Sequence, residues 1–209
     1  GRRRIAANRQ LSIRMDVSTT DLWASMTMYQ PGQTPMYMLT WPNNRQVQAG
    51  LAAQYNRKLD SITQIQFNAR ADNSLFRLTS SMGKDQLKVF GYEQHQRNFF
   101  LPSLSVQISR KLYRNLNGSI SIVSNGRAPS ASELYGFYLF NQFDGFDYVG
   151  NPGLKAERSV LGEASVDWQS SRLKIRLTGF YSRVGNYILG EKVPALSTMT
   201  IGAKGVKAY

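Results

Sequence analysis

Four methionines at regular spacing are the residues of this chain best suited to bind a metal ion. Met26 and Met28 form one M-x-M pair, and Met36 and Met38 form a second pair beyond a segment that contains two prolines and a glycine. In an extended chain, residues two apart point the same way, and a Pro-Gly turn can fold one pair against the other. Four thioethers together suit a soft ion such as Cu(I). The alternative is that they make flexible apolar contacts in a loop, or that they are lipid-facing side chains of a strand at the base of a loop.

A second group of candidate binding residues lies between Arg127 and Arg158, where aromatic side chains are interleaved with Asp144 and Asp147. The candidate ligand-binding rings are Phe137, Tyr138, Phe140, Phe143, Phe146 and Tyr148. Such rings can contact a ligand at the mouth of a channel. The structural alternative is that they anchor loops to one another or mark a membrane interface.

The residue types argue against catalysis. The single histidine, His95, lies beside Glu93 in a polar stretch, where an isolated histidine is usually solvated. Cysteine is absent, which excludes a disulfide framework and a thiolate metal site. The glycines form no phosphate-binding pattern. We therefore expect no enzymatic activity and no catalytic residues.

Strands with one apolar and one polar face are the elements that must position these groups. In Gln46–Arg57, for example, Val47, Ala49, Leu51, Ala53 and Tyr55 share one face, and the other face carries Gln48, Gln54 and Asn56. The same alternation occurs in Leu11–Val17, Thr63–Asp72, Leu104–Ser109, Ser119–Val123, Gly162–Trp168 and Leu173–Tyr181. Thr198–Tyr209 is predicted to be an eighth strand. No run approaches the roughly 18 apolar residues of a membrane-spanning helix.

The connections between these strands alternate between short and long. Short turns fall near residues 59, 115 and 170, and long loops are predicted over 18–44, 79–98, 127–158 and 189–197. Three prolines and a glycine between Leu22 and Asn44 argue against a central strand there and predict a long loop that can contain a hairpin. This sorting by length is typical of an outer-membrane barrel with short periplasmic turns and long external loops.

Motifs around the third long loop resemble the late barrel hairpins of TonB-dependent outer-membrane receptors. They are R-x-P-S-x-x-E from Arg127 to Glu133, G-N-P-x-L-K-x-E from Gly150 to Glu157, and Glu163 in the next strand. The match is strong from about Ser119 to Ile188 and elsewhere rests on the strand-and-turn rhythm. The resemblance implies an all-β, antiparallel transmembrane β-barrel, of which residues 1–209 form about eight of about 22 strands. The plug domain and the C-terminal strands are expected outside these residues.

The resemblance also implies a location and a function. Receptors of this family lie in the bacterial outer membrane and take up a scarce ligand with energy delivered through TonB. The expected partners are outer-membrane lipid, the TonB complex acting through the plug, and a small ligand: a siderophore, metal complex, vitamin or glycan. Copper is the ligand that the methionines favour. Within the second motif, we expect Gly150 and Pro152 to set a turn and Lys155 to pair with Glu157.

The charge balance leaves two other functions to consider. The chain has 26 Lys and Arg against 13 Asp and Glu, for a net charge of +13. A basic stripe is the usual footprint of a nucleic-acid-binding protein, but these charges are scattered singly apart from Arg2–Arg4. We expect them to line a polar lumen or to meet lipid phosphates, and we expect no nucleic acid. The alternatives are a passive porin or small barrel, and a soluble basic β-domain that binds nucleic acid.

Overall fold

The computed structural model describes residues 2–6, 8–29, 32 and 34–209, and it is dominated by β-strands. The elements in chain order are β1 (Arg2–Ala6), β2 (Arg9–Met28), β3 (Met36–Lys58), β4 (Thr63–Leu78), α1 (Ser81–Lys88), β5 (Gln96–Tyr113), β6 (Leu116–Arg127), α2 (Ala131–Tyr135), β7 (Leu139–Asn141), β8 (Phe146–Val149), β9 (Glu157–Gln169), β10 (Lys174–Gly185), β11 (Glu191–Lys192) and β12 (Val206–Ala208). Neither described helix is long and apolar enough to cross a membrane.

Eight of these strands form one antiparallel sheet in the order β1-β2-β3-β4-β5-β6-β9-β10. Consecutive strands pair side by side, so the connections alternate between the two ends of the sheet. The turns at 59–62, 114–115 and 170–173 lie at one end, and the longer connections lie at the other. This arrangement confirms the predicted sorting of short and long connections.

The register of the sheet separates an apolar face from a polar face. Leu11, Tyr55, Phe67, Val106 and Ile122 are paired in one continuous row. A side chain on this face such as Ile122 is 61% exposed, as expected for a surface that meets lipid rather than a protein core.

The opposite face carries hydrogen-bonded polar groups. Both terminal nitrogens of Arg70 lie 2.9 Å from the carboxylate of Asp16, and Arg70 Nε donates to Asp72 at 2.7 Å. Nearby, Asn68 donates to the hydroxyl of Ser105 at 2.8 Å. The predicted two-faced strands are therefore confirmed.

The long loop predicted over 18–44 is wrong in its extent, because β2 continues to Met28 and β3 already begins at Met36. Pro42 lies within β3, where the β2–β3 register shifts between Leu22 and Ala24. A β-bulge of this kind accommodates a proline that a regular ladder would exclude. The two strands exceed the roughly ten residues that cross a bilayer, so their ends stand beyond it as a hairpin.

The eighth strand predicted over Thr198–Tyr209 is also wrong. Only Val206–Ala208 is a strand there, and it pairs with β8 in parallel within a separate sheet of order β11-β12-β8-β7. Gly202 and Gly205 have φ values of 82° and 151°, which interrupt an extended run. The eighth strand of the large sheet is instead β1, which pairs with β2.

The end of the sheet that carries the long connections is here called the outer end. There the long connections fold over the polar face. There this face becomes apolar, and α1 and α2 pack onto it. The first cluster consists of Phe76, Leu78, Leu87, Phe99, Leu101, Leu134 and Tyr135. The second cluster, here called the rim cluster, consists of Met38, Phe137, Tyr138, Val149 and Val206. The outer loops are thus packed structures with their own cores.

Candidate functional site

The β2–β3 hairpin places the four predicted methionines on one face. Met26 lies directly opposite Met38, and Met28 lies directly opposite Met36. Residues opposite each other in an antiparallel pair have Cβ atoms about 4.5–5.5 Å apart and share a face, as do residues two apart on one strand. The four thioethers therefore form two adjacent rungs. That they bind a metal stays a prediction.

Burial differs along these two rungs. Met38 is 3% exposed within the rim cluster, and Met26 and Met28 are half-buried against the same cluster. Met36, at the tip of the hairpin, is 46% exposed. A fifth methionine, Met199, also packs against the rim cluster. Its sequence context gave no signal, because it reaches the site only through the fold of the last segment.

The loop between β6 and β9 is held against the edge of β3. The β3–β4 pairing begins at Asn44, so the outer part of β3 has a free edge. Gln86 of α1 covers this edge by accepting from the Leu39 N–H and donating to the Leu39 carbonyl, both at 3.2 Å. The Phe137 N–H donates to the Thr40 carbonyl at 2.9 Å. These contacts satisfy an otherwise open strand edge and fix the position of Phe137.

Phe137 and Tyr138 form an aromatic wall beside the methionines. Their ring centroids are 5.1 Å apart, and Phe90 lies 5.4 Å from Phe137 and 6.0 Å from Tyr138. Tyr138 has a φ of 52°, a left-handed conformation that is costly for a bulky residue and persists only where packing enforces it. Burial raises the pKa of the Tyr138 phenol, and the charge of Asp147 adds to this effect.

The other four rings of the predicted ligand-binding set lie elsewhere. Phe146 and Tyr148 pack around Lys207, whose Nζ lies 4.5 Å from the Phe146 centroid. Lys207 also bonds Asp144 at 2.7 Å, and this bond, with that from the Tyr148 hydroxyl, lowers the pKa of Asp144 to about 2. Phe140 is partly exposed and Phe143 is fully exposed, beside an open cavity of about 390 Å³.

The motif residues join the two ends of the loop between β6 and β9 through ion pairs of Arg127, here called the clamp. Arg127 Nη1 lies 2.8 Å from Glu133, and Arg127 Nε lies 2.8 Å from Glu157. The predicted pairing of Lys155 with Glu157 is wrong, because Arg127 is the direct cross-strand neighbour of Glu157. The second Glu157 oxygen accepts from the Ile188 N–H at 2.8 Å. Glu133 also completes a capping box with Ser130 at the start of α2.

Within the described residues, no three His, Asp or Glu side chains are grouped so that they could hold a metal ion. The potential metal ligands that the fold pairs are the thioethers of Met26, Met28, Met36 and Met38, and Met199 packs against the rim cluster that contains Met38. Phe137 and Tyr138 lie beside them. The site is therefore a methionine cluster with an aromatic wall at the outer end of a two-faced sheet.

A sheet with one apolar and one polar face and with connections sorted by length is typical of a segment of an outer-membrane β-barrel. A family model described as "TonB dependent receptor-like, beta-barrel" matches residues 5–201. The chain therefore belongs to the β-barrel family of TonB-dependent receptors. This match confirms the predicted family and fold class, and it favours the transporter prediction over the porin and nucleic-acid alternatives. No match is found among curated proteins.

The chain superposes on three solved structures. The copper transporter OprC has a TM-score of 0.70 at 13% identity, covering 97% of this chain and 30% of OprC. The hemophore receptor HasR of Serratia marcescens, in complex with its hemophore HasA and heme, has a TM-score of 0.56 at 15% identity, covering 96% and 37%. The siderophore receptor PirA of Pseudomonas aeruginosa has a TM-score of 0.48 at 11% identity, covering 98% and 48%. The chain thus spans less than half the length of each.

Proposed function

We propose that this chain forms part of the barrel wall and outer loops of a TonB-dependent transporter in the bacterial outer membrane, and that the transported ligand is a soft metal ion, best matched by Cu(I). The observation that carries the metal assignment is the pairing of Met26 with Met38 and of Met28 with Met36 on one face. The transport class is supported by the family. In this proposal TonB acts through a plug domain outside these residues.

The chemistry of the site favours a soft, monovalent ion. Thioethers are neutral and polarisable, and they bind Cu(I) in preference to hard cations such as Mg²⁺, which require oxygen ligands. Met38, Phe137 and Tyr138 are almost fully buried, so the rung of Met26 and Met38 is more shielded from water than the rung of Met28 and Met36. OprC, which is described as a copper transporter, has a similar fold. At 13% identity that likeness supports the fold, so the ion is argued from the methionines.

Position also fits capture from outside. The methionine rungs lie at the end of the sheet that carries the long connections, beyond the part of β2 and β3 needed to cross a bilayer. The polar face that carries Arg70, Asp16 and Asp72 continues from the rim towards the short-turn end. An ion bound at the rim therefore lies at the outer entrance of a polar lumen.

The proposal is tested by Cu(I) binding to the purified full-length protein that contains this chain, measured anaerobically by competition with a chromogenic chelator. The Met26→Leu/Met38→Leu double variant conserves side-chain volume and removes two thioethers. We expect it to weaken binding by about tenfold or more. Met15→Leu is the matched control, because Met15 lies on the exposed apolar face of β2. Micromolar or weaker binding by the wild type, or equal loss in both variants, would refute the metal assignment.

A second candidate ligand is an organic metal complex rather than a free ion. The observation that favours it is the exposure of Phe140 and Phe143 beside the open cavity, where Tyr148 also lies. Exposed rings can stack on a planar carrier molecule. A Phe140→Ser/Phe143→Ser variant would then lose uptake of the complex while its binding of free Cu(I) is unchanged. Unchanged uptake of every complex tried would count against this candidate.

A further inference from the structure

Asp147 is a buried carboxylate with one oxygen left unsatisfied. Its side chain is 0% exposed. Oδ2 accepts hydrogen bonds from the backbone N–H groups of Met199 and Thr200, both at 2.9 Å. Oδ1 is also buried and has no hydrogen-bond partner among the described residues. A buried charge without a partner is strongly unfavourable, so native structures rarely retain one unless a cation completes it.

The position of Asp147 directs this charge towards the rim cluster. In β8, Asp147 and Val149 are two residues apart and therefore share a face of the strand. Val149 belongs to the rim cluster with Met38. Met199, whose backbone Asp147 holds, packs against the same cluster. The charge of Asp147 is also felt by Tyr138, one ring of the aromatic wall.

The nearby lysine does not neutralise Asp147. Lys207 Nζ is bonded to Asp144 Oδ2 at 2.7 Å and to the Tyr148 hydroxyl at 3.2 Å. Among the described residues, Asp147 makes no ion pair within 4.0 Å. Asp147, which borders the rim cluster through Val149 and Met199, therefore carries a charge that no lysine or arginine among the described residues balances.

Building on the proposed function, we propose that Asp147 and Met199 are part of the metal site. Asp147 supplies a fixed negative charge, and Met199 supplies a fifth thioether. A monovalent cation bound by neutral thioethers alone would be an uncompensated buried charge, and Asp147 balances it. The site consequently selects a bare monovalent soft cation over neutral or anionic metal complexes. The methionine site would therefore bind the free ion and reject the same ion in a chelated form.

The decisive variant is Asp147→Asn in the full-length protein, with Ag(I) and Cu(I) as the probes. Asparagine keeps an oxygen that can accept from the Met199 and Thr200 N–H groups, but it carries no charge. We expect affinity to fall by roughly tenfold or more, because charges a few ångströms apart interact strongly at a partly buried site. The thermal stability of the metal-free protein should be unchanged or higher, because an unpaired buried charge is removed. A purely structural role predicts the opposite pair of results.

Two further variants complete the test. Met199→Leu should weaken Ag(I) and Cu(I) binding several-fold, and Asp144→Asn, which removes a carboxylate already paired with Lys207, should leave affinity unchanged. The anionic complex of Cu(I) with bathocuproine disulfonate should show no saturable binding that depends on Met26 and Met38.

The two proposals fail in different ways. If the Met26→Leu/Met38→Leu variant loses affinity while Asp147→Asn and Met199→Leu both stay within about threefold of wild type, this inference is overturned and the proposed function stands. Saturable binding of the anionic complex that is lost in the Met26→Leu/Met38→Leu variant would likewise overturn the charge selectivity. Absence of any methionine-dependent binding would overturn both.

Discussion

Replacement of Gly150 by alanine should detach the outer loop from helix α2. The Gly150 N–H donates to the Gly136 carbonyl at 2.7 Å, so two backbone segments approach closely at this point. A Cβ added to Gly150 would lie 2.6 Å from Tyr135 N, 2.7 Å from Gly136 N and 2.7 Å from the Leu134 carbonyl carbon. All three are main-chain atoms, so no side-chain rotation can relieve the overlap.

The size of the effect follows from these contacts. Overpacking of a closely packed site costs about 1–3 kcal/mol, and loss of one backbone hydrogen bond adds about 1 kcal/mol. A total near 3 kcal/mol would raise the population of the opened loop by roughly a hundredfold. Because Phe137 and Tyr138 directly follow Gly136, the rim cluster would lose its aromatic wall in the opened state.

Limited proteolysis of intact cells that carry the full-length protein measures this opening. When reclosing is faster than cleavage, the cleavage rate within 127–158 tracks the open population, so Gly150→Ala should be cut about a hundredfold faster. Gly162→Ala is the matched control, because a Cβ added there has no heavy atom within 4 Å. Cleavage of Gly150→Ala within about threefold of wild type would refute the argument from close approach.

Three further predictions concern the sheet, the rim and the clamp. Ile122→Arg should cost about 2–4 kcal/mol in urea unfolding from lipid vesicles, and Ser121→Arg on the polar face almost nothing; equal costs would contradict the assignment of faces. The pKa of Asp144 is lowered to about 2, so the ion pair with Lys207 stabilises the fold fully above about pH 4 and is lost as the pH falls through about 2. The rate of amide hydrogen exchange in residues 200–209 should therefore rise over that pH window. A rise already complete above about pH 5 would contradict this role of the ion pair. Arg127→Gln should destabilise the loop between β6 and β9 by about 1–2 kcal/mol, a modest value because the guanidinium is half-exposed. An unchanged rate of proteolysis in this loop would show that the two ion pairs of Arg127 do not hold it in place.

The membrane-crossing part of the sheet could be predicted because its signal is local. Apolar and polar residues alternate with a period of two, and a shift of one residue would move every side chain to the wrong face. The outer part of β3 carried no such signal, since its edge is covered by Gln86 and Phe137, both distant in sequence. Thr198–Tyr209 was mispredicted for a related reason. Its alternation is short, and its true partners, β8 and β11, lie inside the predicted long loops 127–158 and 189–197.

The sequence predicted the pairing of four methionines but not the proposed roles of Met199 and Asp147. The spacing of Met26, Met28, Met36 and Met38 predicts two rungs, because a strand and a turn are enough to pair them. Met199 packs against the rim cluster and is held by Asp147 only through contacts between residues distant in sequence. The one local signal for Asp147 was a charged residue at an inward position of a short apolar strand, two residues before Val149.

The family motif and the methionine site are connected through one loop. Arg127 ends β6 and Glu157 begins β9, and the two are direct cross-strand partners, so the wall strands themselves bring the clamp together. Glu133 ties the first turn of α2 to the same guanidinium. Helix α2 then leads directly into Phe137 and Tyr138. The motif residues thereby set where the aromatic wall stands, and a rim site with this geometry depends on the register of the strands that lie below it.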